Sequence, residues 1–245
     1  MTSKKVLSGS MDLLTLKDLK EAFKGKRVVL VGSAPSGRLN KGHIIDQYDC
    51  IVRVNNYKVK GIDKYGRHYD YTAQLGNRTD YHFSFYGGSI RKTPAELKAD
   101  GIKAHLCKCP NAQCHVTEWA RKNNQTQGGD FRPLYRRRKG FWIKPVYIPQ
   151  RDHYLELFNT LNKRVPSTGF YAIWELMLCN PRELYITGFD FMQSKIHNVN
   201  EAWLKGRQDD PIRHDWQAEP KLLKKWINEK PFIKCDETLL KAVRR

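Results

Sequence analysis

His214 and Glu219 stand five positions apart in His214-Asp-Trp-Gln-Ala-Glu219, ahead of a stretch carrying Leu222, Leu223 and Trp226 at helical spacing. An imidazole titrates near neutrality and can take a proton from an attacking hydroxyl, while a carboxylate at a helix entrance can organise the turn around it. A solitary histidine fits a structural role equally well. Three other stretches could meet an anion. Gly32-Ser-Ala-Pro-Ser-Gly37 is a small-residue turn whose backbone N–H groups can approach a phosphate, with Ser33 and Ser36 as hydroxyl donors on either side of Pro35. It lacks the lysine and length of a Walker loop and the three-glycine spacing of a dinucleotide fingerprint, so dipoles would carry the binding. A plain strand-end turn has the same composition. Asn55-Asn56 offer amides that can hydrogen-bond a phosphate, a ribose hydroxyl or a sugar, and Pro166-Ser167-Thr168-Gly169 supplies the entrance of another helix.

A second group of residues suits a larger polyanion. Phe131 to Trp142 interleaves Arg132, Arg136, Arg137, Arg138 and Lys139 with Phe131, Tyr135, Phe141 and Trp142. Guanidinium groups meet phosphates while rings stack on bases, and a flipped base needs both contacts. A solvated loop is the plainer alternative. The whole chain points the same way: 44 Lys and Arg against 25 Asp and Glu give a formal charge of +19. A field of that sign favours encounters with nucleic acid, an anionic membrane surface or an acidic glycan, and composition does not choose among them.

Cys107, Cys109, Cys114 and His115 could complete a tetrahedral zinc site, but one residue separates the first pair where zinc knuckles place two. We read this segment as a thiol-containing loop and expect no metal. The remaining cysteines, Cys50, Cys179 and Cys235, are scattered as in a cytoplasmic protein with reduced thiols. The opening MTSKKVLSGSMDLLTLKDLK has frequent charges and no continuous apolar run, so it predicts neither a signal peptide nor an anchor.

The elements that position these residues follow from hydrophobic period. Leu13, Leu14, Leu16, Leu19 and Phe23 predict an amphipathic helix over 12–24. Arg27 to Val31 and Cys50 to Val54 read as strands buried on both faces, the first feeding the Gly32 turn. Asp70 to Leu75 or residues near it, His105 at a strand end and Pro145 to Ile148 are further strand candidates. Asp152 to Asn162 reads as a helix with Tyr154, Leu155, Phe158 and Leu161 inward. Ser167 or Thr168 caps a helix that stops at Asn180-Pro181, before the strand Glu183 to Gly188. Repeated strand and helix units predict one α/β domain over 1–245: a Rossmann-like, mostly parallel sheet with helices on both faces. A basic loop is inserted at about 123–144, and ligands should bind at the carboxyl ends of the strands.

Val29 to Tyr57, reading VLVGSAPSGRLNKGHIIDQYDCIVRVNNY, resembles the large sialylmotif of sialyltransferases, with Gly76-Asn-Arg-Thr79 similar to its later portion. The Gly-x-x-Pro-Ser form is similar to bacterial members. Pro166 to Gly169 and Leu184-Tyr-Ile-Thr-Gly188-Phe189-Asp190 resemble the small sialylmotif, and His214 to Glu219 resembles the very short one. The intervening aromatic and His motif is matched only loosely, at Ile196-His197-Asn198 or Asn200 to Trp203, and Phe83 to Val165 lies mostly outside the resemblance. The resemblance implies a cytidine-monophosphate (CMP) sugar as donor, with no metal or other cofactor. It implies a nucleotide site of Gly32, Ser33, Pro35, Ser36, Asn55, Asn56, Ser167, Thr168, Gly169, Gly188 and Asp190, with His214 as base and Glu219 in support. It further implies in-line attack with inversion at the anomeric carbon.

The acceptor reading rests on charge and the 131–142 loop, where Arg132, Tyr135, Arg136, Arg137, Arg138 and Trp142 would grip a hydroxylated base in DNA. Viruses that disguise their genomes use such chemistry, and a virus-encoded enzyme in a host cytoplasm would fit. Two alternatives stay open: a sialyltransferase acting on an oligosaccharide or lipid-linked glycan at an anionic membrane, and a non-catalytic nucleic-acid-binding module that retains the fold.

Overall fold

Arg27–Val31 and Cys50–Val54 are short, rich in valine and apolar on both faces, and such strands are stable only with protein above and below them. The computed structural model describes residues 13–34, 40–55, 57–62, 65–84, 94–108, 145–191 and 214–244, and it places both strands at the centre of a sheet. In chain order the elements are β1 (Leu13–Leu14), α1 (Leu16–Phe23), β2 (Arg27–Val31), α2 (Gly42–Ile45), β3 (Cys50–Val54), β4 (Lys60–Ile62), β5 (His68–Asp70), α3 (Thr72–Leu75) and β6 (Tyr81–Ser84). They continue with α4 (Pro94–Ala99), β7 (Ala104–Cys107), β8 (Val146–Tyr147), α5 (Arg151–Thr160), α6 (Thr168–Leu178), β9 (Glu183–Thr187), α7 (Ala218–Glu229), β10 (Ile233–Cys235) and α8 (Glu237–Arg244).

Eight strands pair in the order β1-β8-β7-β6-β3-β2-β9-β10, and every pairing in this sheet is parallel. Strands added after β2 run outward on one side through β3, β6, β7 and β8. The chain then returns to add β9 and β10 on the other side. This reversal between β2 and β9 is the topological switch point, where an open parallel sheet leaves a crevice at its carboxyl edge. β4 and β5 form a separate antiparallel hairpin.

Alternation along β2 divides the core between the two faces. Val28 and Leu30 join a large cluster with Phe23 of α1, Leu157 of α5, Phe170 of α6, Leu223 of α7 and Leu239 of α8. Val29 and Val31 face the other way and meet Ile45 and Tyr48. Helices therefore cover both faces, as the sequence predicts. Within the large cluster, Phe170 and Trp226 stack at 5.1 Å with 14° between their planes, locking α6 against α7.

Two elements differ from the sequence expectation. Leu13 and Leu14 pair with β8 as a strand, and the helix begins only after Thr15. Thr15 and Asp18 form a reciprocal capping box, with the Asp18 N–H donating to Thr15 Oγ1 at 3.2 Å and the Thr15 N–H to Asp18 Oδ2 at 2.7 Å. Of Asp70 to Leu75 only Asp70 lies in a strand, as the last residue of β5 in the separate hairpin. The Asp70 carboxylate accepts the Thr72 N–H at 2.8 Å and opens the short helix α3, while the next sheet strand is Tyr81–Ser84.

Candidate active site

Ser167 is the N-cap of α6: its Oγ accepts the Phe170 N–H at 3.2 Å. The same residue is held from outside the helix. Its backbone N–H donates to Glu219 Oε1 at 2.6 Å and its hydroxyl donates to Glu219 Oε2 at 2.8 Å, so one carboxylate joins the entrances of α6 and α7. Glu219 is fully buried, and that burial pushes its carboxyl up to about 7 against the opposing pull of the Ser167 donors and the Lys108 charge.

His214 grips the same segment two residues earlier. Its Nδ1 lies 2.7 Å from the Val165 carbonyl oxygen. A carbonyl only accepts, so Nδ1 carries the hydrogen and Nε2 is the basic nitrogen of the neutral ring. Trp216 meets the imidazole edge-on at 5.0 Å. Asp215 keeps the turn between His214 and Glu219 in shape by accepting the N–H groups of Gln217 at 3.1 Å and Ala218 at 2.8 Å. The five-residue spacing thus acquires a physical meaning, because both ends of the motif hold the strap 165–167 that leads into α6.

From α6 the contacts run on to the switch point through Phe189. A Cβ on Gly169 would meet the Phe189 ring at 2.3 Å, and one on Gly32 would meet the same ring at 2.9 Å. The ring therefore packs directly on both glycines. Gly32 and Gly188 also touch each other: a Cβ on Gly32 would fall 2.2 Å from the Gly188 oxygen, and Gly188 itself has φ +75°. Backbone bonds complete the junction, with Gly32 N–H donating to Thr187 O at 2.8 Å and Ala34 N–H to Gly188 O at 2.9 Å. Asp236, which the sequence reading passed over, holds this turn from below. Its Oδ2 accepts the Thr187 hydroxyl at 2.6 Å and the Gly188 N–H at 3.3 Å, while Oδ1 caps α8 at the Leu239 N–H.

The structure therefore unites Gly32, Ser33, Ser167, Thr168, Gly169, Gly188, His214 and Glu219 through a continuous path of contacts along the carboxyl edges of β2 and β9. Thr168 and Gly169 belong to the first turn of α6, whose N–H groups have no partner within the helix. Asp190 is buried beyond the Gly188 turn. Asn55 ends the neighbouring strand in a left-handed conformation, φ +57°; its N–H donates to Phe83 O at 2.8 Å, and its carbonyl oxygen accepts from His82 Nε2 at 2.6 Å. His82, buried in β6, is a second residue that pattern reading missed, because a polar side chain in a central strand breaks the apolar run.

Lys108 is the third. It follows β7 with 4% of its surface exposed, and alternation places it with Leu106 on the sheet face that packs against α6 and α7. Other motif residues turn out to be scaffold. The Arg53 guanidinium is buried and donates to the carbonyls of Leu75 at 2.7 Å and Arg78 at 2.8 Å and to Thr79 Oγ1 at 2.9 Å; burial lowers its pKa to about 10. Asp46 accepts the Asn77 N–H at 2.8 Å, completing the frame under β3.

Pro35, Ser36 and Asn56 lie outside the described residues, as do Arg132, Tyr135, Arg136, Arg137, Arg138 and Trp142 of the basic loop, and His197. So do Cys109, Cys114 and His115; Cys107 is buried at the end of β7. Among the described residues no His, Cys, Asp and Glu group has the arrangement of a metal site, and no helix is long and apolar enough to cross a membrane.

A parallel sheet with this strand order, reversing between β2 and β9, has the sialyltransferase-like form of the α/β fold. Three solved structures illustrate the likeness. A mammalian sialyltransferase in complex with Gal-beta-1-3GalNAc-ortho-nitrophenol aligns with a TM-score of 0.50 and 17% identity, over 90% of this chain and 72% of that one. Two variants of the sialyltransferase Cst-II, an enzyme of Campylobacter jejuni, each in complex with CMP, align with TM-scores of 0.50 and 14% identity over 86% of this chain. The alignments cover 80% and 81% of those chains. No family model matches the chain, and no curated protein is similar to it in sequence.

Proposed function

We propose that this protein is an inverting glycosyltransferase that moves a sugar from a CMP-sugar to an acceptor hydroxyl. The observation that carries the reading is the His214 bond to the Val165 carbonyl, which makes Nε2 the basic nitrogen and ties it to the strap entering α6. His214 Nε2 takes the proton of the acceptor hydroxyl as its oxygen bonds to the anomeric carbon. The bond from that carbon to the phosphate oxygen breaks on the opposite face, and CMP leaves with the electron pair. Backbone donors at Ser33, Thr168 and Gly169 meet the charge growing on the phosphate, with Gly32 holding their turn against β9, and Glu219 keeps the donor wall and the base in register through Ser167. CMP in the neighbouring Cst-II structures supports the choice of nucleotide.

For the acceptor, the reading is a hydroxylated base in DNA, supported by the +19 charge and the Arg- and aromatic-rich stretch 131–142. A glycan acceptor is the second reading, favoured by the galactoside bound to the mammalian neighbour. The test is to incubate the protein with labelled CMP-sugars and either hydroxymethylated DNA or a galactoside, with and without EDTA. Label on DNA that persists in EDTA supports the full reading. Label on the galactoside alone rejects the DNA acceptor and leaves the transferase reading intact. His214→Ala should lower transfer by about 100- to 10,000-fold while CMP still binds; full activity in that variant would reject His214 as the base.

A further inference from the structure

After Asn55 the chain builds a second feature on the same edge of the sheet. Tyr57 and Val59 are buried in a small apolar cluster with Leu97, Ile102, Cys107 and Val146. The Tyr57 hydroxyl donates to Asp100, and the returning chain closes the loop with Tyr71 N–H donating to Val59 O at 2.7 Å. The root is thus anchored. Projecting from it is the hairpin of β4 and β5, where Lys60, Ile62, His68 and Asp70 are exposed and Tyr65 at the turn is 69% exposed.

Residues 67, 69 and 71 alternate onto one face of this hairpin. The Tyr69 and Tyr71 rings stack there at 5.7 Å with 26° between their planes. Tyr69 lies across Gly61, where a Cβ would come within 2.9 Å of the phenol oxygen, so the missing side chain makes room for the ring. Cations flank the rings. Arg67 Cζ stands 5.2 Å from the centre of Tyr65, and Lys58 Nζ stands 5.5 Å from the centre of Tyr69. Tyr65 is exposed, Tyr69 and Tyr71 are half-buried, and a lone two-stranded hairpin is at best marginally stable. Two ring-and-cation pairs on one exposed element are the composition with which proteins hold single strands: rings for bases, cations for the phosphates between them.

We infer that the β4–β5 hairpin is a binding platform for single-stranded nucleic acid, with Tyr65 and Tyr69 stacking on bases and Arg67 and Lys58 meeting phosphates. This rests on the nucleic-acid acceptor proposed above and adds a second point of contact to it. A polyanion can use rings and cations together and answers the +19 of the chain. The hairpin leaves the sheet from the carboxyl end of β3, the edge that also carries Gly32, Gly188 and Ser167.

Fluorescence anisotropy of a labelled oligothymidylate with the full chain tests the inference. Tyr65→Ala and Tyr69→Ala should each weaken binding about tenfold, and Arg67→Gln should lower the slope of log affinity against log salt by about 0.7. Hydrolysis of the CMP-sugar without acceptor should be unchanged in all three. Hairpin variants that bind as the parent does, while a triple Arg136→Ala, Arg137→Ala, Arg138→Ala variant loses binding, would overturn the platform and leave the nucleic-acid acceptor standing. A parent protein that fails to bind the oligonucleotide overturns both. Tyr65→Ala lies at an exposed turn and keeps the test usable should Tyr69→Ala, packed on Gly61, unfold by circular dichroism.

Discussion

Glu219 holds a carboxyl group where water does not reach, with two Ser167 donors pulling it toward ionisation and burial pushing it the other way. Burial wins, so the folded protein keeps this proton up to about pH 7, whereas an unfolded chain releases it near 4.5. The stability from this group is therefore fully present below about 4.5 and is lost as pH rises through 7, on the order of 3 kcal/mol in all. Glu219→Gln preserves an acceptor for the Ser167 N–H and removes the titration. Urea midpoints for the parent should fall between pH 5 and pH 8 by more than those of the Gln variant. Lys108 acts on the same group, since its charge pulls the Glu219 pKa down. Lys108→Met should raise the Glu219 pKa, read as a displacement of that stability transition to higher pH.

At the level of elements, the junction between β2, β9 and α6 is the least tolerant part of the fold. Gly32→Ala would set a methyl 2.2 Å from a backbone oxygen that belongs to the neighbouring strand end and cannot rotate away. It should cost about 3 kcal/mol and weaken CMP binding, measured by thermal denaturation and calorimetry. Gly169→Ala meets the Phe189 side chain instead, so the loss of stability should be smaller. The strands of this junction were legible because Arg27 to Val31 and Glu183 to Thr187 are apolar runs ending in glycine. β6 was not, since Tyr-His-Phe-Ser alternates apolar and polar residues, and only the fold supplies Asn55 O and His105 as partners for His82 and Ser84. The helix expected from residue 12 begins four residues later, at Leu16, although the Thr15 and Asp18 signal was visible, because Leu13 and Leu14 continue the helical period while β8 claims them as a strand. The spacing of His214 and Glu219 pointed to their partnership. That both seize the strap 165–167 needed the tertiary arrangement, because Val165 and Ser167 lie far away in sequence.

At the scale of the whole molecule, the excess of 44 basic over 25 acidic residues sets how any polyanion arrives. With the DNA acceptor proposed above, transfer at subsaturating DNA concentration should fall steeply between about 50 and 200 mM salt, roughly by the power law that counterion release imposes, while donor hydrolysis stays level. The strand order has another consequence, which concerns time. β2 needs β9 as its neighbour, yet a ribosome must travel from Val31 to Thr187 before that neighbour exists, about 10 to 30 seconds at ordinary speeds of synthesis. Through that interval one edge of the most apolar strand in the nascent chain has no mate. The Gly32–Gly188 junction is accordingly among the last features to form, so a truncated product would carry half a crevice and an open sheet edge, and would be a natural substrate for chaperones and proteases.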